Sequence, residues 1–290
     1  MTGEVTERVP ERGTEGQPVA NLNSKLDALR VHLEALQPGL IAVSGGVDSR
    51  LLVHVSRLWN LDFQAVHALG PHQSPLEQDQ NRALLQVQNV TPRLLRFDPL
   101  GQPEVRSNSR QRCYWCKKAL FSNFLELAAA ESPRSLLDGT HLDDLAVHRP
   151  GQKALQELGV HSPLAQAGLT KADIRQAAEW LGLEAPDQPS RACLLTRFPY
   201  DRQVTTADLE AVGRVEDGLS ALGLSRFRFR VTGGERNLLQ IHPDESHALR
   251  DQEEHLRDLI VGAGLGSFEV SITPGLSGYF DPPTDSGSHP

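Results

Sequence analysis

Leu40-Ile41-Ala42-Val43-Ser44-Gly45-Gly46-Val47-Asp48-Ser49-Arg50-Leu51-Leu52-Val53 passes from one apolar run, through paired glycines, into another. It reads as a strand over residues 40–43 that ends in a glycine turn and opens a helix at Arg50. That geometry suits a phosphate group. Gly45 and Gly46 let the backbone approach an anion, while the unbonded N–H groups of the helix start and the positive end of its dipole face the same point. Ser44 and Ser49 add hydroxyl donors, and Asp48 offers a carboxylate for a magnesium ion bridging phosphate oxygens. The spacing is not that of the Walker A loop, which needs a Lys-Ser/Thr pair after its second glycine. Nor is it the dinucleotide fingerprint, whose third glycine is absent here.

Outward from this stretch, strand and helix patterns alternate. Strands are expected over 63–68, 93–97 and 135–138, and helices over 50–59, 76–87, 115–130 and 171–181. The last helix is well punctuated: Thr170 with Asp173 makes a capping box, and Gly182 follows the final turn. Such alternation predicts an α/β fold with a parallel sheet and helices on both faces. After a proline-containing loop at 186–202, a helix opening at Thr205 with Asp208 as its box partner leads into strands over 226–231 and 238–241. A helix over 244–260 and a strand over 267–272 complete a smaller C-terminal α+β domain. The expected organisation is a disordered tail over 1–20, a nucleotide domain over 21–203, the α+β domain over 204–280 and a second disordered tail over 281–290.

The chain has 290 residues, 39% of them hydrophobic, enough for one large or two modest cores. No run of eighteen apolar residues occurs and the N-terminal stretch is charged, so no membrane span or secretory signal is expected and a cytoplasmic location is. A net charge of −8, from 29 basic and 37 acidic residues, argues against a broad nucleic-acid footprint. Local basic clusters still occur. Arg226-Phe227-Arg228-Phe229-Arg230 alternates as a strand does, giving either a solvated face or a pocket for a phosphate or carboxylate. Arg191 and Arg197 are further candidates for anchoring such groups, with surface or interdomain ion pairs as the alternative.

Only three cysteines occur, Cys113, Cys116 and Cys193, an odd number ill suited to a disulfide framework. Cys113-Tyr114-Trp115-Cys116 is a C-x-x-C pair that can ligate a metal or cluster, form a redox pair, or pack as small apolar residues. A structural zinc site would need a fourth ligand from a histidine or carboxylate.

The string Ser44-Gly45-Gly46-Val47-Asp48-Ser49 resembles the pyrophosphate loop of the ATP pyrophosphatases, which split ATP between its α and β phosphates. Within that group, Arg112-Cys113-Tyr114-Trp115-Cys116-Lys117 resembles an RCxxCK motif, and Asp138-Gly139-Thr140 with Asp143-Asp144 a DGTNxDD motif. Arg149-Pro150-Gly151, Ser162-Pro163-Leu164 and Gly168-Leu169-Thr170-Lys171 fit RPG, SPL and GLTK strings, and Cys193 through Tyr200 fits a CLASRxPY string. Over roughly residues 22–275 the chain is similar to the LarE family of ATP-dependent sulfur transferases. It departs from the family pattern at His141, His148, Thr196 and His242.

The resemblance implies that ATP binds through Ser44–Ser49 and Asp138, Gly139 and Thr140, with magnesium on Asp48. It implies adenylation of pyridinium-3,5-biscarboxylic acid mononucleotide and replacement of AMP by sulfur, in biosynthesis of the nickel-pincer nucleotide of lactate racemase. In single-cysteine members the thiol at the position of Cys193 gives up its own sulfur. Members with three cysteines resemble enzymes holding a [4Fe–4S] cluster, which here would rest on Cys113, Cys116 and Cys193. Implied partners are a small nucleotide substrate, further copies of the chain, and a sulfide or cysteine-derived sulfur donor. Two other readings are a tRNA thiolation enzyme, which the acidic charge disfavours, and a noncatalytic ATP-binding module.

Overall fold

A computed structural model describes residues 20–130, 135–146, 150–189, 191–249 and 252–281. The tails expected over 1–20 and 281–290 lie outside these residues except at Ala20, which opens the first helix, and Asp281. His148 and Arg149 also lie outside them. In chain order the elements are α1 Ala20–Leu36, β1 Gly39–Ala42, α2 Val47–Leu58, β2 Phe63–Leu69, α3 Pro75–Val87, β3 Arg93–Arg96, α4 Pro103–Arg106 and α5 Arg112–Ala129. They continue with β4 Ser135–Leu137, α6 Leu142–Leu145, α7 Pro150–Glu157, α8 Pro163–Gln166, α9 Lys171–Trp180, α10 Thr206–Ala221, β5 Phe227–Arg230, β6 Asn237–Ile241, α11 Glu253–Gly262 and β7 Phe268–Ile272.

The chain divides into two compact units, each made of separated pieces. The first comprises residues 1–70, 78–97 and 113–190, and the second 71–77, 98–112 and 191–290. In the first unit, four parallel strands lie in the order β3-β2-β1-β4, with Leu40 opposite Gln64 on one side and Leu136 on the other. Alternation along the strands decides what covers each face. Ile41, Val43 and Ala65 join one core with Leu22, Leu29 and Leu33 of α1, Leu51 and Val55 of α2, and Ile174 and Ala177 of α9. Leu40, Val66 and Ala68 join another with Phe121 and Phe124 of α5 and Leu155 of α7. Each buried Leu, Ile, Val or Phe among them contributes about 1.5–3 kcal/mol by leaving water, and with both faces covered the unit is an α/β fold. The box at α9 forms as expected: Thr170 Oγ1 accepts from Asp173 N at 3.2 Å, and Asp173 Oδ2 from Thr170 N at 2.8 Å.

The second unit carries a smaller sheet, order β5-β6-β7, antiparallel between β5 and β6 and parallel between β6 and β7. Phe227, Phe229, Leu239 and Ile241 of the strands and Leu209, Val212, Val215 and Leu219 of α10 are buried. One expected element is divided. Residues 243–249 form a 3-10 turn, and the α-helix begins only at Glu253. Glu245 is the reason: its carboxylate accepts from Ser225 N at 2.9 Å and Arg226 N at 2.8 Å, tying the turn to the start of β5.

Candidate active site

In the first unit, the loop between β1 and α2 is built as its glycines demand. Gly45 has φ +89°, and a side chain there would collide with buried Asn81 of α3, whose Nδ2 donates to Ser44 O at 3.2 Å. Ser49 Oγ accepts from Ser44 N and donates to Gly46 O, each at 3.2 Å, so this hydroxyl braces the turn. The first bond within α2 is Arg50 N to Gly46 O, which leaves the N–H groups of Val47, Asp48 and Ser49 ahead of it for an anion. Gly139 lies against this helix start: a Cβ on it would stand 3.0 Å from Ser49 N.

Distant strings of sequence converge here. Lys171 Nζ donates to both oxygens of Asp48, at 2.6 and 2.7 Å, while Lys171 N donates to Asp143 Oδ2 at 2.7 Å. Asp48 therefore meets an ammonium group. Asp138 serves its own turn: its carboxylate accepts from Thr140 N at 3.2 Å, Thr140 Oγ1 at 2.5 Å and Ser162 Oγ at 2.6 Å. His141 N donates to Asp144 Oδ2 at 3.3 Å, starting α6.

Three contributors to the loop were not singled out from sequence: Arg50, Asn81 and the side chain of Lys171. Arg50 is fully buried, and its guanidinium donates to Gly45 O at 3.1 Å, Glu184 O at 2.6 Å, Ala185 O at 3.1 Å and Gln188 Oε1 at 3.0 Å. Its position directly after the loop was the available signal, but its partners Glu184, Ala185 and Gln188 lie more than a hundred residues away in sequence.

None of the three thiols is in a disulfide. Cys113 and Cys116 lie on the first turn of α5, three positions apart and so on one face; Cys113 is exposed and Cys116 half-buried against the core around Phe121 and Phe124. A Cβ on Gly151, at the start of α7, would stand 2.9 Å from Lys117 Cδ of α5, so this glycine lets the two helices approach beside Cys113. Cys193 belongs to the second unit, where it caps a 3-10 turn over Leu194–Arg197. The donor set, three thiols outside any disulfide, suits the chemistry of an iron–sulfur cluster. Among the described residues, however, no group of three His, Cys, Asp or Glu side chains is gathered for a metal ion.

Beside the Cys193 turn, through Ala192 and Leu194, the second unit assembles a charged pocket lined also by Ser74, Glu77, Arg191, Arg197, Glu216, Asp217 and Arg228. Cys193 O accepts from Thr196 N at 2.9 Å and Thr196 Oγ1 at 2.8 Å, and Arg197 Nη1 donates to that same hydroxyl at 2.7 Å. Buried Arg197 forms a bidentate pair with Glu216 of α10 at 2.5 and 2.9 Å. Burial alone would raise the Glu216 carboxyl, but Arg197, the Phe229 N–H and Arg228 hold it below the usual carboxylate range. Burial, with Arg197 nearby, lowers Arg228 to about 10.

The alternating arginines do not share one pocket. Arg226 pairs with Asp244 at 2.9 Å, whereas Arg230 is buried and donates to Gln240 Oε1 at 2.9 Å, Thr196 O at 2.8 Å and Leu276 O. Burial and the neighbouring Arg197 and Arg228 lower Arg230 to about 10. His242 Nδ1 lies 3.3 Å from Asp244 Oδ2. Glu77 is a pocket residue that sequence reasoning missed. Burial pushes its carboxyl up to about 7, against Arg191 and Arg197 and with help from Glu216 and Asp217.

No family model matches the chain. It is 34% identical over 264 residues to the uncharacterized protein slr1717 of Synechocystis sp., covering 89% of this chain and 96% of that one. It is 30% identical over 223 residues to the uncharacterized protein MJ0830 of Methanocaldococcus jannaschii, covering 75% and 83%. To the pyridinium-3,5-bisthiocarboxylic acid mononucleotide synthase of Lactiplantibacillus plantarum it is 29% identical over 214 residues, covering 73% and 78%. The chain belongs to the family of slr1717 and MJ0830, and the Lactiplantibacillus plantarum synthase is a more distant homologue.

Proposed function

We propose that this protein is an ATP-dependent sulfur transferase that converts the carboxylates of pyridinium-3,5-biscarboxylic acid mononucleotide into thiocarboxylates, within nickel-pincer nucleotide biosynthesis. The observation that carries the reading is the convergence of Ser44–Ser49, Gly139, Asp143 and Lys171 on one helix start. The name of the distant synthase supplies the substrate.

A carboxylate accepts sulfur poorly because its oxygen is a bad leaving group. A substrate carboxylate oxygen attacks the α-phosphorus of ATP, the bond to the bridging oxygen breaks, and pyrophosphate departs. The N–H groups of Val47, Asp48 and Ser49, with Lys171, face the charge that develops on the leaving phosphates. A sulfur nucleophile then attacks the acyl carbon, and AMP leaves with the electron pair of the C–O bond. Asp48 with Asp143 would hold magnesium, which screens the phosphate oxygens. Cys113, Cys116 and Cys193 would hold a [4Fe–4S] cluster, which when bound supplies an open iron position for an extra sulfide. Arg191, Arg197 and Arg228 supply the guanidinium surroundings for the substrate's phosphate and free carboxylate, whereas Arg230, expected to share this role, is committed to Gln240 and backbone oxygens.

Pyrophosphate release from ATP that depends on the mononucleotide tests the reading; its absence rejects it. Cys193→Ala is expected to retain that release while forming no thiocarboxylate. Anaerobically purified protein is expected to hold about four irons per chain. Iron-free protein that forms product as Cys193 loses its sulfur would instead make Cys193 the donor.

A further inference from the structure

The pocket of the second unit balances its charges: Arg191, Arg197 and Arg228 against Glu77, Glu216 and Asp217. Two of those carboxylates are committed by hydrogen bonds. Glu216 chelates Arg197 and accepts from Phe229 N at 3.0 Å; Asp217 accepts from Ser74 Oγ and, at 3.2 Å, from Leu76 N. Glu77 instead meets Arg191 and Arg197 as charges through space, from the first turn of α3. The remaining space is about 20 Å³, close to that of a single water. A tetrahedral anion enters only if a side chain withdraws, and Glu77 is the carboxylate least tied.

We propose that Glu77 gates this pocket: its carboxylate occupies the guanidinium field of Arg191 and Arg197 until it takes a proton from solvent, and a phosphate monoester or carboxylate group then takes its place. This rests on the anion-anchoring role proposed above for the arginines. The one bond formed is the O–H on Glu77, and the anion brings the charge that the protonated carboxyl no longer supplies. The charged groups facing Glu77 are Arg191 and Arg197 from the Cys193 segment, Glu216 and Asp217 from α10, and Arg228 from β5. No histidine is among the described residues lining the pocket. With Glu216 held low, Glu77 at about 7 is the lining group that titrates near neutrality.

Sulfate is the probe, because its charge is constant between about pH 6 and pH 8.5. Calorimetric titration of the full chain at fixed ionic strength, in two buffers of different ionisation heat, reads affinity and proton uptake together. The expected result is a wild-type affinity that falls about tenfold per pH unit above pH 7.5, with close to one proton taken up per anion at pH 8. Glu77→Gln, its folding checked by thermal unfolding, is expected to bind with an affinity independent of pH. Glu77→Asp, a second variant that keeps a titratable group on a shorter arm, is expected to keep the slope with a moved midpoint. An equal pH slope in Glu77→Gln, or no proton uptake by the wild type, overturns the gate while leaving the anchor reading standing. No sulfate binding at any pH, or binding unchanged in Arg228→Gln, overturns the anchor reading and the gate with it. Ribose 5-phosphate and pyridine-3,5-dicarboxylate, each competed against sulfate near pH 6.5, distinguish a phosphate occupant from a carboxylate one.

Discussion

The two anion-facing places in this molecule are made in opposite ways. The loop over Ser44–Ser49 uses backbone N–H groups fixed by glycine geometry, with one ammonium brought from Lys171. The pocket beside Cys193 uses guanidinium side chains set among carboxylates, with Arg197 buried and bonded to Glu216 and Arg191 exposed. A backbone site needs little from its neighbours beyond space, whereas a site of buried charges is stable only while every partner is present. Damage to the first should therefore appear as lost catalysis, and damage to the second as lost stability as well.

The largest expected effect tests that distinction directly. Arg197→Ala leaves Glu216 buried without its bidentate partner and should cost about 3–5 kcal/mol in urea unfolding. A loss below about 1 kcal/mol would place this pair among weak surface bridges and dissolve the contrast. Gly45→Val puts a β-branched residue at φ +89° and against Asn81. Substrate-dependent pyrophosphate release should drop by about 100-fold, with a stability cost of about 1–3 kcal/mol. Lys171→Met removes the cation on Asp48 and should raise the KM for ATP by about tenfold, with thermal unfolding little changed.

The next test turns on pH. A carboxyl whose folded pKa is raised, as for Glu77 at about 7, binds its proton more tightly folded than unfolded, so stability falls as pH rises from the unfolded value of 4.5 toward 7. Wild-type protein should lose about 1–2 kcal/mol relative to Glu77→Gln between pH 5 and pH 8 in denaturant titrations. Parallel curves for the two proteins would remove Glu77 from the charge balance of the pocket. The smallest effect lies outside both sites: Thr205→Ala removes the cap of α10 and should cost about 1 kcal/mol without changing either ligand site.

The α/β class was legible because strand runs and capped helices are local patterns, and the loop was legible because its residues are contiguous. Helix α1 was not read, although Leu22, Leu26, Leu29 and Leu33 stand at helical spacing. The helix expected from 244 broke because Glu245 found better partners in Ser225 and Arg226, a contact across twenty residues that periodicity cannot show. The arginine pocket was half legible. Arg191, Arg197 and Arg228 drew attention as guanidiniums, but Glu77, Glu216 and Asp217 read as ordinary helix carboxylates until the fold set them opposite. Arg230, with the same local pattern as Arg228, spends its donors on Gln240 and backbone oxygens instead.

The contact between Lys171 and Asp48 gives the loop its own counter-ion. In the proposed reaction, a divalent cation arriving on Asp48 would meet an ammonium group already there, so the carboxylate is paired before the cation comes. Lys171 N is itself held by Asp143. An ammonium group freed from Asp48 would therefore stay close to the helix start at Val47, and in the proposed reaction a single charge would serve first the carboxylate and then the incoming polyphosphate.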